Sequence, residues 1–167
     1  MYYAQMRKYD IANGIGIRTT LFVSGCTHEC AGCFNTEYKN FKHGHQWTKE
    51  AEETFLTYIK DENVHGVTIL GGEPMQQTKD NDLLNLLKRI KKETKKDIWI
   101  YSGYTYEEII EDPKKRELLI LCDVLVDGKF VESLRDLKLR FRGSSNQNII
   151  DIQASLVQGK KVLLTLE

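Results

Sequence analysis

Four short apolar runs, each closed by a glycine loop and separated by segments of helical periodicity, constrain this chain more than any other feature. Ile17-Arg-Thr-Thr-Leu-Phe-Val23 stops at Ser24-Gly25, Val67-Thr-Ile-Leu70 at Gly71-Gly72, and Ile98-Trp-Ile-Tyr101 at Ser102-Gly103, while Val124-Leu-Val126 runs into Asp127-Gly128-Lys129. Runs rich in β-branched and aromatic residues and bounded by turn residues read as strands. Between them, Ala51, Phe55, Leu56 and Ile59 recur at helical spacing within 48–60, as do Leu83, Leu84, Leu86, Leu87 and Ile90. Thr105-Tyr-Glu-Glu108 has the spacing of a capping box, and Pro113 restarts a helix as far as Leu121. Lys161-Val-Leu-Leu-Thr165 reads as a terminal strand.

Strands alternating with helices imply βαβ units, hence an α/β fold with a parallel sheet, flat or curled into part of a barrel. The 167 residues suit one domain spanning 1–167 and fall short of the ~250 of a closed eight-fold barrel. Active sites in such folds lie at the C-terminal ends of the strands. The four glycine loops therefore converge on one face.

Lysine plus arginine (24) balance aspartate plus glutamate (24), so no bulk field draws the chain to nucleic acid or an anionic membrane. The first ten residues lack the apolar run of a signal peptide, and no stretch approaches the ~20 apolar residues of a membrane helix, so a cytoplasmic protein is expected. In that reducing compartment, three of four cysteines packed between positions 26 and 33 point to metal or redox chemistry rather than disulfides.

Cys26-Thr-His-Glu-Cys30-Ala-Gly-Cys33 places three thiolates on one loop, within about 24–47. A structural zinc site is closed by four ligands, and His28, His43, His45 or Cys122 would have to complete it. Three thiolates on a cubane instead leave one iron open to a chelating ligand. A thiol–disulfide pair would leave one cysteine unused. Cys122 lies in the apolar stretch 118–126 and reads as a buried small hydrophobe.

CxxxCxxC after a first strand, followed by Gly71-Gly-Glu-Pro74 after the second, resembles the radical S-adenosylmethionine (SAM) enzymes. Asn13-Gly-Ile-Gly-Ile-Arg18, Leu21 to Cys26, Cys30 to Asn35, Trp99 to Tyr104, Val124 to Phe130 and Arg142-Gly-Ser-Ser-Asn-Gln147 resemble successive blocks of the activating proteins of anaerobic (class III) ribonucleoside-triphosphate reductase. The resemblance covers about 13–147 and leaves a tail of about 148–167.

The resemblance implies a partial (β/α) barrel of the radical SAM type and a [4Fe-4S] cluster on Cys26, Cys30 and Cys33. It implies that SAM chelates the open iron and is cleaved reductively to methionine and a 5′-deoxyadenosyl radical. That radical takes a hydrogen from a glycine Cα of the reductase. Backbone of Gly32, Cys33 and Phe34 then meets adenine, and Gly71, Gly72, Glu73 and Pro74 meet the methionine end. From the position of the fourth-strand loop, Asp127 and Lys129 are expected to offer opposite charges to the zwitterionic ligand, with Arg18, Tyr101 and Ser102 as second candidates on the same geometric grounds. Reduced flavodoxin or a similar protein is the expected donor. The polar loop containing Arg140, Arg142 and Gly143 to Asn146 is expected to close the site or touch the partner. Activation of another glycyl-radical enzyme such as pyruvate formate-lyase, small-molecule radical chemistry, and a zinc-stabilised interaction module are the alternatives.

Overall fold

The computed structural model describes residues 1–33 and 36–166. Its centre is one seven-stranded sheet with strands β1 (Tyr2–Asp10), β2 (Arg18–Val23), β3 (His45–Gln46), β4 (Gly66–Gly71), β5 (Asp97–Tyr101), β6 (Val124–Asp127) and β7 (Asn148–Asp151) in the order β3-β1-β2-β4-β5-β6-β7. The four runs foreseen from sequence are the four central strands. They pair in parallel as β2-β4-β5-β6, while β1 and β7 flank them antiparallel and β3 pairs antiparallel with β1. The expected parallel sheet is thus its middle only.

Helices α1 (Lys49–Ile59), α2 (Asp82–Glu93), α3 (Tyr106–Glu111) and α4 (Pro113–Leu119) return the chain between parallel strands, and α5 (Ile152–Gln158) follows β7. Their starts obey local chemistry: Thr48 caps α1 through Ala51 N, and Thr105 with Glu108 closes the capping box of α3. Alternate strand residues Leu21, Val23, Val67, Ile69, Ile98, Ile100, Leu125 and Ile150 form one core with the apolar stripes of all five helices. The opposite face carries Phe22, Leu70, Trp99, Val124, Val126 and Ile149 in two smaller clusters. The helices thus pack on one face, and the other is left to loops and a cavity.

Several elements depart from the sequence reading, among them the short β3, β7 and α5, which it did not foresee. β1 was not foreseen, because its apolar positions are interrupted by the exposed Arg7, Lys8 and Tyr9. The expected terminal strand at 161–165 is reduced to a single bridge, Ile150 to Leu163. There the tail lies along β7 through Asp151 N to Val162 O and Leu164 N to Ile149 O.

Candidate active site

Each central parallel strand ends in a loop that reaches the same cavity. It has a volume of about 550 Å³, and its wall includes Cys26, Cys30 and Cys33 after β2, Gly72 after β4, Ser102 after β5 and Lys129 after β6. The convergence expected of the four loops is therefore present.

The cysteine loop leaves β2 through Gly25, whose amide donates to Tyr38 O (2.7 Å), and Cys26 N donates to Lys39 O (3.0 Å). A side chain at Gly25 would enter the ring of Phe41, and the residue sits at φ +113, so glycine is needed there on both counts. Thr27 N donates to Gln76 Oε1 (2.9 Å), and Cys33 N to Cys30 O (3.1 Å). All three thiols are half-buried. Burial pushes Cys26 and Cys30 above the ordinary thiol range; at Cys30 the neighbouring Cys33 adds to this, while Lys129 and Lys39 pull the other way. Burial thus favours the protonated form of Cys26 and Cys30, and a metal must displace those protons.

Among the described residues no three His, Cys, Asp or Glu side chains are gathered around a point that would hold a single metal ion. Three thiols on one cavity wall suit a centre of several irons, in which each cysteine binds its own corner. Of the residues that could complete a zinc site, His28 is held by Glu73 and Cys122 lies on the other face of the sheet. His28 Nε2 lies 2.9 Å from Glu73 Oε1, the His43 ring packs on Tyr38, and the His45 ring on Tyr3. Cys122 is fully buried among the helices on the other face of the sheet.

The Gly71-Gly72-Glu73-Pro74 turn is braced against the cysteine loop. Gly72 N donates to Val23 O (2.8 Å) and Glu73 N to Gly25 O (2.7 Å). A Cβ on Gly72 would stand 2.6 Å from Gly25 O and 2.7 Å from Tyr38 O. The Glu73 carboxylate is 1% exposed and saturated by protein. Oε1 accepts from Gly103 N (2.7 Å) and faces His28, while Oε2 accepts from Ser102 Oγ (2.8 Å) and Met75 N (2.9 Å). Pro74 is buried at the start of a short 3-10 helix. Within this turn, Gly71, Gly72 and Glu73 border the cavity.

The remaining sequence candidates separate. Lys129 borders the cavity, whereas Asp127 is buried with Oδ2 accepting from Tyr106 N (2.8 Å) and Oδ1 from Asn148 N (3.1 Å). Its carboxylate thus ties α3 and β7 to the loop that carries Lys129. Gly32, at φ +73, faces the carboxyl of Glu132, and Phe34 lies outside the described residues. Tyr101 borders the cavity and donates from its hydroxyl to Phe141 O (2.6 Å); burial raises its phenol well above the ordinary range. Arg18 lies at the opposite end of β2, bonded to Thr68 Oγ1, Val67 O and Asp97 Oδ1 and set against the Trp99 ring. It is a packing residue. Sequence reading missed His28 and Gln76 as braces of the cysteine loop; His28 inside CxxxCxxC was the available signal.

Comparison with known proteins decides what this loop arrangement belongs to. Residues 12–150 match the family model described as a 4Fe-4S single cluster domain. The anaerobic ribonucleoside-triphosphate reductase-activating protein of Vibrio cholerae is 42% identical over 152 residues, covering 89% of this chain and 97% of the relative. The protein of the same name from Escherichia coli K12 is 41% identical over 150 residues, 88% of this chain and 96% of the relative. That of phage T4 is 35% identical over 150 residues, 89% and 93% of the respective chains. The chain belongs to this family of activating proteins. Membership makes it an enzyme of the activating class with an iron–sulfur domain. Among the described residues, no helix of this activating-protein homologue is long and apolar enough to cross a membrane.

Proposed function

We propose that this chain activates an anaerobic ribonucleoside-triphosphate reductase by generating its glycyl radical, using SAM and a [4Fe-4S] cluster held by Cys26, Cys30 and Cys33. The observation that carries the reading is the shared cavity: three thiols and the Gly71-Gly72 turn border one chamber, in a chain of this family. When bound, the cluster supplies one electron to the sulfonium of SAM, which separates into methionine and a 5′-deoxyadenosyl radical that takes hydrogen from a glycine Cα of the reductase.

The chain's own residues bind, orient and enclose. The three thiolates would hold the cluster, and the cavity beside them would hold the amino and carboxylate groups of SAM. Because the Glu73 carboxylate is saturated by Gly103, Ser102, Met75 and His28, the ammonium is received by backbone carbonyls of the Gly71-Gly72 turn. Lys129 meets the carboxylate, with Asp127 acting from behind by fixing its loop and Pro74 by fixing the turn. Backbone from Gly32 through Cys33 to Phe34 takes the adenine end. Position then supplies much of the catalysis. No general base is required.

The packing of helices on one face supports a partial (β/α) barrel of the radical SAM type, formed by a single domain over 1–167. Reduced flavodoxin or a similar protein in the cytoplasm is the proposed donor.

The test is 5′-deoxyadenosine formation after anaerobic reconstitution with iron and sulfide, given SAM and a strong reductant, with Cys30→Ala as control. Product from the parent alone supports radical SAM chemistry. A fully loaded parent that makes none overturns it, and a colourless protein with one tightly bound zinc supports an interaction module instead.

A further inference from the structure

Charge is unevenly placed around the cysteine loop. In a chain with no formal net charge, residues 39–49 carry Lys39, Lys42, His43, His45 and Lys49 with no acidic residue among them, and Glu37 and Glu50 stand just outside the run. Lys42 and Lys49 are exposed, and so is Lys79, whose Nζ lies 5.7 Å from the centre of the Phe41 ring. Among the described residues none of Lys39, Lys42, Lys49 and Lys79 is paired with a carboxylate. The acids that follow Lys79 in the chain are engaged elsewhere, since Asp80 and Asp82 bind the terminal ammonium of Met1 (2.6 and 2.8 Å).

Local stability does not account for the run. Lys49 opens α1, where the positive end of the helix disfavours a cation, and Glu50 and Glu52 beside it are the charges that position favours. The run also lies against the cysteine loop. Lys39 O accepts from Cys26 N, and Tyr38 O from Gly25 N. The Phe41 ring covers Gly25, so one ring separates Lys79 from the residue before Cys26. Lys39 borders the cavity, whereas Phe41, Lys42 and Lys79 are not on its wall.

We infer that Lys42 and Lys79, set around the Phe41 ring, form the docking surface for an acidic one-electron carrier, which reduces the cluster through the outer side of the cysteine loop and leaves the cavity to SAM. The inference rests on the activating role proposed above, in which each SAM cleaved takes one electron from outside the chain. The carrier is oxidised by one electron and the cluster reduced by one; no bond forms or breaks and no proton moves. Electron-transfer encounters use small interfaces, so a few lysines around one aromatic ring are surface enough. Opposite charge supplies a fast, salt-sensitive approach. An electron delivered beside Phe41 and Lys39 is already at the backbone that carries the first cysteine of the cluster loop.

The decisive experiment compares reconstituted parent with the double variant K42E/K79E and with K92E, the same kind of charge reversal at an exposed position of α2. Three quantities are read: affinity for an acidic flavodoxin across a salt series, 5′-deoxyadenosine formation driven either by that flavodoxin or by dithionite, and affinity for the purified reductase. The expected result for K42E/K79E is at least tenfold weaker flavodoxin binding with a shallower salt dependence, and a matching loss of flavodoxin-driven product below saturation. Its dithionite-driven product and reductase affinity stay at the parent level, and K92E behaves as the parent. Unchanged flavodoxin affinity in the double variant overturns the inference and leaves the lysines as charges that guard the β3 edge of the sheet. An equal loss in K92E, a fall in dithionite-driven product or a fall in reductase affinity overturns it as well, the last by assigning the surface to the reductase. A parent that binds flavodoxin at these lysines yet makes no 5′-deoxyadenosine with either reductant overturns the radical reading alone.

Discussion

His28 and Glu73 lock the cysteine loop to the turn after β4, with 2.9 Å between His28 Nε2 and Glu73 Oε1 and both side chains buried. The same carboxylate takes Ser102 Oγ and the amides of Gly103 and Met75, so one residue joins the loops of three parallel strands. Replacing Glu73 with Ala strands these donors in a buried place, where each unsatisfied group costs about 1–3 kcal/mol. Glu73→Ala should therefore lower the denaturant midpoint by an amount equivalent to about 3 kcal/mol and reduce iron content after reconstitution. A variant with normal stability and iron that has lost only SAM affinity would return Glu73 to the role of ligand.

Gly72 is a second point where motif and scaffold coincide. From sequence, a valine there is expected to weaken SAM binding and leave iron in place. The structure revises this, since a Cβ would press on the carbonyl oxygens of Gly25 and Tyr38, the backbone from which Cys26 departs. Both neighbours are backbone and cannot rotate away. Gly72→Val should lose iron and SAM binding together, checked by iron and acid-labile sulfide content alongside SAM affinity in one preparation.

What the sequence disclosed follows from the kind of signal each element carries. The central strands are buried on both faces, so they read as continuous apolar runs, and the amphipathic stripe of α2 read equally well. β1 is a flanking strand whose outer residues are charged, and β7 with α5 is too short to show a period. In the site, cysteine spacing specified the loop because ligand geometry is local in sequence. The engagement of Glu73 and Asp127 was not legible, for a carboxylate beside a glycine turn looks the same whether it faces a ligand or its neighbours' amides. Asn13-Gly-Ile-Gly-Ile-Arg18 was legible as a motif but not in its purpose. Gly14 makes room for the buried Arg18 side chain, whose Cδ would lie 2.7 Å from a Cβ at that position.

Cys122 separates packing from ligation. Its thiol is fully buried, donates weakly to Leu118 O (3.5 Å), and is pushed by burial well above the ordinary thiol range. Cys122→Ala should leave iron content unchanged and cost about 1 kcal/mol through the small void it creates. In the native protein a thiol reagent should spare Cys122 and reach it only on unfolding. Loss of the cluster in Cys122→Ala would instead indicate a four-cysteine centre.

Asp10 supplies a pH-dependent contribution at the head of the loop that carries Ile11 and Asn13. Burial alone would raise its pKa, but Ala12 N (2.9 Å), Asn13 Nδ2 (2.8 Å) and Thr20 Oγ1 (2.8 Å) donate to the carboxylate and outweigh it, so the folded value lies below that of a free aspartate. A depressed folded pKa adds stability that is complete above the unfolded value of about 3.9 and is lost as pH falls through the folded value. Asp10→Asn keeps the shape and removes the charge that these donors favour. At pH 7 it should therefore lower stability by about 1–2 kcal/mol, and the gap from the parent should narrow on acidification below about pH 4. Urea midpoints of both proteins from pH 7 to pH 3 test this, and a gap that stays constant across the series would show that the bonds to Asp10 do not depend on its charge.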